Sequence, residues 1–117
     1  MYILVRDDVP LGFAMVAVAH ASLAAYLAFQ ATPEVREWLD GPFRKVVCVI
    51  SAKEFESARA LKDNVVVTES ALGGREVAIA FKPRATWPRM FQSLRLYRRV
   101  PVFAEVAGNE DGVDADG

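Results

Sequence analysis

The sequence predicts an α/β fold: a small three-layer domain in which a mixed sheet of about four strands is flanked by helices. Short β-branched runs alternate with helical segments along most of the chain, which is typical of α/β proteins. Two later runs flank a pair of glycines, which indicates an antiparallel hairpin within the same sheet. An apolar content of 53% with a net charge of -1 excludes a disordered chain.

The length of 117 residues suits one domain, which we expect over residues 1–107. Residues 108–117 are acidic and contain one sizeable apolar residue, Val113. Such a segment cannot offset the entropy of becoming ordered, so we expect a disordered tail there.

The first elements are a strand over Tyr2 to Val5 and a helix from Gly12 to Gln30. Residues 13–29 are apolar apart from His20 and Ser22, so they also suit a membrane span or a signal segment. A strand-like run ending in acidic residues precedes them, and seven of the seventeen are alanines, which favour close helix packing. We therefore expect a buried helix and no membrane association.

The middle of the chain predicts one helix before a strand and one helix after it. Thr32-Pro33-Glu34 has the composition of a helix start, and Gly41-Pro42 ends that helix. Residues 45–50 are almost continuously apolar and β-branched, which predicts a central strand with Cys48 in the core. Ser51 and Glu54 fit a capping box, which predicts a third helix running to about Lys62.

The last third of the domain predicts the hairpin and a final helix. Strands over 65–68 and 77–81 flank Gly73-Gly74, which supply the positive φ angles of a tight connection. A helix is expected from about Thr86-Trp87-Pro88, because apolar residues follow it at helical spacing: Met90, Phe91, Leu94 and Tyr97.

Few residues carry recognisable chemistry. One histidine and one cysteine do not form a familiar metal site. A magnesium site made of the Asp7 and Asp8 carboxylates stays possible as an alternative. Our expectation is that the protein uses neither a metal nor a cofactor. The single cysteine excludes an internal disulfide and favours the cytoplasm. His20 shares a helical stripe with apolar residues, which favours a histidine packed in the core over a catalytic one.

Positive charge is concentrated between residues 75 and 99. This segment contains seven Lys and Arg residues and one acidic residue, Glu76, which gives it a charge of +6. Trp87, Phe91 and Tyr97 lie among these cations, a mixture that suits phosphates and exposed bases. The alternative is a solvated helix face whose aromatic residues pack inward. The domain as a whole is not basic, and we expect no DNA partner.

The chain resembles the type 2 peptidyl-tRNA hydrolase family in two segments that together span most of the expected domain. After a first apolar strand, the family has an Arg-x-Asp-Leu motif, a glycine that begins an alanine-rich helix, and His-Ala eight residues later. The matching residues here are Arg6, Asp8, Val9, Gly12, His20 and Ala21. In the second segment the family has a Thr-Glu pair, a glycine, a strand, a proline and a closing Leu-Lys-Leu. The matching residues here are Thr68-Glu69, Gly73, residues 77–81, Pro83 and Leu94-Arg95-Leu96.

This resemblance implies a small α/β fold and action on an acyl ester of tRNA, with tRNA as the partner. It assigns the positioning of water and substrate to Asp8, Thr68 and Glu69, with His20 supporting them, and phosphate contacts to Arg84, Arg89 and Arg95. The alternative is a non-catalytic, dimeric binding module of the same fold with a small-molecule or protein ligand. We expect a homodimer because the first helix is apolar around more of its circumference than one small sheet can cover.

Three positions differ from the family pattern. Phe13 and Ala17 stand where the family has a lysine and a glutamine, so the cation that the resemblance would assign to the start of the helix is missing. The family carboxylate that precedes Thr-Glu corresponds to Asn64, or to Asp63 if the register slips by one. The resemblance therefore implies weak or absent peptidyl-tRNA turnover.

Overall fold

The structure, a computed structural model, describes residues 1–98, so the predicted tail lies outside the described residues. Its strands are β1 Tyr2–Arg6, β2 Val46–Ile50, β3 Asn64–Glu69, β4 Arg75–Phe81 and β5 Arg95–Leu96. Its α-helices are α1 Leu11–Phe29, α2 Pro33–Asp40 and α3 Ala52–Arg59, and two short 3₁₀ helices cover Ser70–Leu72 and Arg89–Ser93.

The strands form one mixed sheet in the order β3-β4-β1-β2-β5. Within residues 1–98, only β1 and β2 pair in parallel, joined by α1 and α2, while the other three pairings are antiparallel. The α/β class and the mixed sheet flanked by helices are confirmed, with five strands where the sequence predicted about four.

The helix α1 covers one face of the sheet over β1, β3 and β4. Four alanines, Ala14, Ala17, Ala21 and Ala25, form its buried stripe. Their small side chains let the helix axis approach strand residues such as Val5 and Ala80, which are fully buried. On the opposite face, Phe55 of α3 packs with Leu4, Cys48 and Ile79 in a second buried cluster.

Several local predictions are confirmed. The Glu54 backbone N–H donates to Ser51 Oγ at 3.1 Å and the Ser51 N–H donates to Glu54 Oε1 at 2.7 Å, which is the predicted capping box. The hairpin of β3 and β4 turns through Gly73 and Gly74, with φ of 75° and 78°. Cys48 is buried in the core.

Two predictions are wrong. The expected final helix is only the 3₁₀ helix Arg89–Ser93, because at Leu94 the backbone becomes extended and the chain then pairs with β2 as the short strand β5. His20 is exposed rather than packed in the core, because the alanine stripe of α1 faces the sheet and His20 lies outside that stripe.

Candidate functional site

Polar side chains gather where β1, β2 and β3 end. These three strands run in the same direction, since β1 is parallel to β2 and both β1 and β3 are antiparallel to β4. Their carboxyl ends therefore lie along one side of the sheet, together with the starts of β4 and β5. We call this side the carboxyl edge; its polar residues include Arg6, Asp8, Glu69, Arg75 and Arg95.

Asp8 is held by two guanidinium groups at this edge. Arg6 donates from Nε to Asp8 Oδ1 at 3.3 Å and from Nη2 to Oδ2 at 3.1 Å. Arg75 Nη2 lies 3.1 Å from Asp8 Oδ1 and also donates to the Asp8 backbone carbonyl at 3.1 Å. The carboxylate thus joins the end of β1 to the start of β4.

These contacts set the protonation state of Asp8. Partial desolvation raises the pKa of its carboxyl, but hydrogen bonds and charge from Arg6 and the charge of Arg75 outweigh it, so the net pKa lies below the usual value. Asp8 is therefore ionised at neutral pH and a weak proton acceptor. Its chemical role in this arrangement is to orient the two arginines.

Thr68 and Glu69 lie at the same edge, after a β-bulge between Val67 and Thr68. Glu69 pairs in register with Arg75, the partner of Asp8, and its Oε2 accepts from the Ala71 N–H at 3.0 Å. Thr68 is exposed and pairs in register with Glu76. The structure thus places Asp8, Thr68 and Glu69 at the same edge, where Arg75 contacts Asp8 and is the strand neighbour of Glu69.

Two arginines, Arg6 and Arg59, flank the Phe55 ring next to the carboxyl edge. The guanidinium carbons of Arg6 and Arg59 each lie 5.5 Å from the centre of the Phe55 ring. Arg59 also forms an ion pair with Glu76 at the start of β4. Sequence reasoning missed Arg59 and Phe55 as parts of the site, because their contacts join α3 to β1 and β4 across the chain.

The other predicted catalytic positions lie elsewhere. His20 follows Leu11 by nine residues, so it lies about 14 Å along the axis of α1 from the helix start. Asn64 begins β3 opposite Phe81, at the far side of the sheet from Asp8, and donates to the Leu61 carbonyl at 2.7 Å. Asp63, the alternative residue, lies 3.6 Å from Lys82 Nζ at that same far side.

The three arginines predicted to bind phosphate do not form one patch. Arg95 is at the carboxyl edge, 3.4 Å from the Val49 carbonyl and 3.5 Å from Glu54 Oε1. Arg89 is exposed on the second 3₁₀ helix. Arg84 instead lines a cavity of about 560 Å³ at the opposite side of the sheet, where β1 and β2 begin.

Three aromatic side chains line the cavity beside Arg84, which we call the amino-edge cavity. Tyr2, Trp38 and Trp87 line it, with Arg44 and Arg84 as its cations. Tyr2 and Trp87 contact edge to face with ring centres 4.7 Å apart, and the Arg84 guanidinium lies 5.7 Å from the Trp87 ring. The acidic residues of the wall are Glu34 and Glu37.

Within residues 1–98, no group of three or more His, Cys, Asp or Glu side chains is arranged to hold a metal ion. Neither a scan against models of known protein families nor a search of curated proteins finds a match to the chain.

Proposed function

We propose that the protein binds the acyl-ester end of tRNA at the carboxyl edge with little or no hydrolysis, as a homodimeric protein similar to the type 2 peptidyl-tRNA hydrolases. The observation that carries this proposal is the Asp8 carboxylate held between Arg6 and Arg75. The proposal includes a cytoplasmic location, since a single buried thiol suits a reducing compartment.

The binding part of the proposal depends on fixed guanidinium groups. Arg6 and Arg75 are oriented by Asp8, and Arg95 lies at the end of the neighbouring strand. Guanidinium groups bind phosphate oxygens through paired hydrogen bonds, and prior orientation lowers the entropy lost on binding. The Arg75 and Arg95 side chains are 38% and 61% exposed, so both are open to a ligand from solvent.

The expected lack of turnover depends on three positions. Asp8 is occupied by its two arginines, and His20 lies far along α1 from the corner. Phe13, at the start of α1, is half-buried and packs against the core beneath the helix. An ester bound at this corner would lack a cation from that position to stabilise the developing oxyanion, a loss that typically lowers the rate about 100- to 1,000-fold.

The direct test combines tRNA binding with ester hydrolysis, using N-acetylaminoacyl-tRNA as the substrate. We expect binding that weakens steeply with salt, together with turnover close to the uncatalysed rate. Arg75→Ala should weaken binding and reduce the salt slope by about 1. The matched control is Arg36→Ala, which removes an exposed arginine of α2 away from the carboxyl edge.

No tRNA binding at low salt would contradict the proposed ligand. Efficient cleavage by the unmodified protein would contradict the proposed lack of hydrolysis. An equal loss of binding in Arg36→Ala and Arg75→Ala would contradict the carboxyl edge as the site.

A small planar ligand in the amino-edge cavity is the second candidate function, favoured by the three aromatic rings and two arginines of its wall. Both tryptophans of the chain line the cavity, so intrinsic fluorescence reports its occupancy. We expect nucleoside monophosphates, which combine a flat ring with an anion, to quench this fluorescence. Arg84→Ala should weaken the quenching, and an unchanged spectrum at millimolar ligand would contradict this candidate.

A further inference from the structure

The amino-edge cavity is lined by charges of both signs. Glu34, Glu37 and Trp38 line it from α2, and their spacing of three and four residues places them on one face of that helix. Arg84 and Trp87 line it from the segment that follows β4. A ligand in the cavity therefore meets carboxylates from α2 and a cation from the segment after β4.

The two carboxylates of the cavity differ in their partners. Glu34 Oε1 lies 3.7 Å from Lys82 Nζ, so the charge of Glu34 is balanced within the protein. No ion pair or side-chain hydrogen bond within residues 1–98 involves the Glu37 carboxylate. Both oxygens of Glu37 are therefore left to accept hydrogen bonds from a ligand.

A fixed cation and an aromatic ring lie together in the same cavity. Arg84 Nε donates to the Thr86 carbonyl at 2.6 Å, and within residues 1–98 the Arg84 guanidinium forms no ion pair. Trp87, which lies beside this guanidinium, is half-buried. Arg44 adds a second cation to the wall. A base can stack on such a ring while a guanidinium binds its phosphate.

We propose that the amino-edge cavity selects guanine and binds free guanosine monophosphate, with Glu37 accepting hydrogen bonds from the base and Arg84 binding the phosphate. This inference rests on the second candidate function, a planar ligand in this cavity, and is independent of the carboxyl edge. The cavity volume of about 560 Å³ lies within the usual range of small-molecule sites.

The preference for guanine follows from the hydrogen-bonding groups of the bases. Guanine has two donors side by side, N1–H and the exocyclic N2 amine, which match the two oxygens of one carboxylate. Adenine has one donor, its N6 amine, beside the N1 acceptor, so one oxygen of Glu37 would face a lone pair. A bidentate pair of this kind typically discriminates against the wrong base by tenfold or more.

The same carboxylates favour a free nucleotide over a nucleic acid chain. A 5′-terminal guanosine of RNA carries the same base and phosphate, but the phosphates that follow it would bring further negative charge to a cavity that contains Glu34 and Glu37. The cations of the wall are Arg44 and Arg84 alone. One phosphate group therefore suits the cavity better than several.

Calorimetric titration of the full chain with nucleotides tests the proposal. We expect the dissociation constant of guanosine monophosphate to be about tenfold or more below that of adenosine monophosphate, with inosine monophosphate, which lacks the N2 amine, between them. A 5′-phosphorylated GpA dinucleotide should bind no more tightly than guanosine monophosphate.

Glu37→Gln is the decisive variant, because an amide offers one acceptor and one donor and so matches adenine rather than guanine. It should weaken guanosine monophosphate binding about tenfold and strengthen adenosine monophosphate binding, which a merely structural role of Glu37 would not do. The matched control is Asp40→Asn, which changes an exposed acid of α2 outside the cavity and should leave the preference for guanine unchanged.

Equal affinity for the guanine and adenine nucleotides, or a preference for guanine that survives in Glu37→Gln, would overturn the proposal. Tighter binding of the dinucleotide would overturn the choice of a free nucleotide. Binding of both nucleotides without preference refutes this inference and keeps the second candidate function, whereas no nucleotide binding at all refutes both, so the two failures are distinguishable.

Discussion

Truncation of Phe55 to alanine should destabilise the domain by about 4–7 kcal/mol. Phe55 is fully buried, and removal of such a ring typically costs about 3–5 kcal/mol through lost burial and the remaining cavity. Its two flanking guanidinium groups, Arg6 and Arg59, add about 0.5–1 kcal/mol each through cation–π contact. Phe55→Leu keeps most of the apolar volume and should cost only about 1–2 kcal/mol.

Urea unfolding followed by circular dichroism measures these differences in the free energy of unfolding. Phe43→Ala is the control, since its ring is 46% exposed; the loss of its contacts with Trp38 and Lys45 should cost about 1–2 kcal/mol. If Phe55→Ala does not fold, Phe55→Leu still tests the reasoning. Equal costs for Phe55→Ala and Phe43→Ala, or no measurable cost for Phe55→Leu, would refute the role assigned to the Phe55 ring.

Three further predictions concern Asp8, Cys48 and Phe13. The lowered pKa of Asp8 gives stability that is present above the unfolded pKa of about 3.9 and lost as the pH falls through the folded value. Asp8→Asn should therefore lower the free energy of unfolding, measured with urea, more at pH 7 than at pH 3. The difference should be below about 1 kcal/mol because the Asp8 side chain is half-exposed. Equal losses at the two pH values would count against the ion pairs. Burial raises the pKa of the Cys48 thiol, so a thiol reagent should label the native protein much more slowly than the unfolded protein, and similar rates would show that the core is open. Phe13→Lys should raise residual hydrolysis of N-acetylaminoacyl-tRNA while the far-ultraviolet spectrum stays unchanged, because a lysine at a helix start can extend its ammonium into solvent; unchanged hydrolysis would exclude this position from the reaction.

Short-range signals predicted most of the fold. The Ser51–Glu54 capping box and the Gly73-Gly74 turn each depend on residues close in sequence, so the pattern contains the whole interaction. The prediction of a final helix was wrong because the apolar spacing there has another origin. Apolar residues recur every three positions at Phe91, Leu94 and Tyr97, but the backbone becomes extended at Leu94, so Tyr97 contacts the opposite face of the sheet.

The orientation of α1 could not be predicted from periodicity. The helix is apolar on all sides, so side-chain size rather than polarity decides which face meets the sheet, and the alanines allow the closest approach. The apolar spacing around His20 therefore predicts burial for a residue that is exposed. The strand β5 has two exposed residues and no apolar signal, so only its pairing with β2 identifies it.

The candidate site was predicted in part. Asp8, Thr68 and Glu69 do lie at one edge, because strand ends can be located from the sequence. The arginines that hold Asp8 depend on which strands are neighbours, and the register of β1 with β4 has no local signature. The distribution of Arg84 and Arg95 to opposite sides of the sheet has the same cause.

The position of β1 has a consequence for synthesis of the protein on the ribosome. It leaves the exit tunnel before the other four strands of the sheet, yet it lies at the centre of that sheet, where Ile3 pairs with Ala80 of β4. Until β4 has been translated, the nascent chain carries an apolar strand and helix with one flank of β1 unpaired. Folding must wait for nearly the whole domain, so polypeptides released early would expose both an open strand edge and α1, and we expect them to require chaperones or to aggregate.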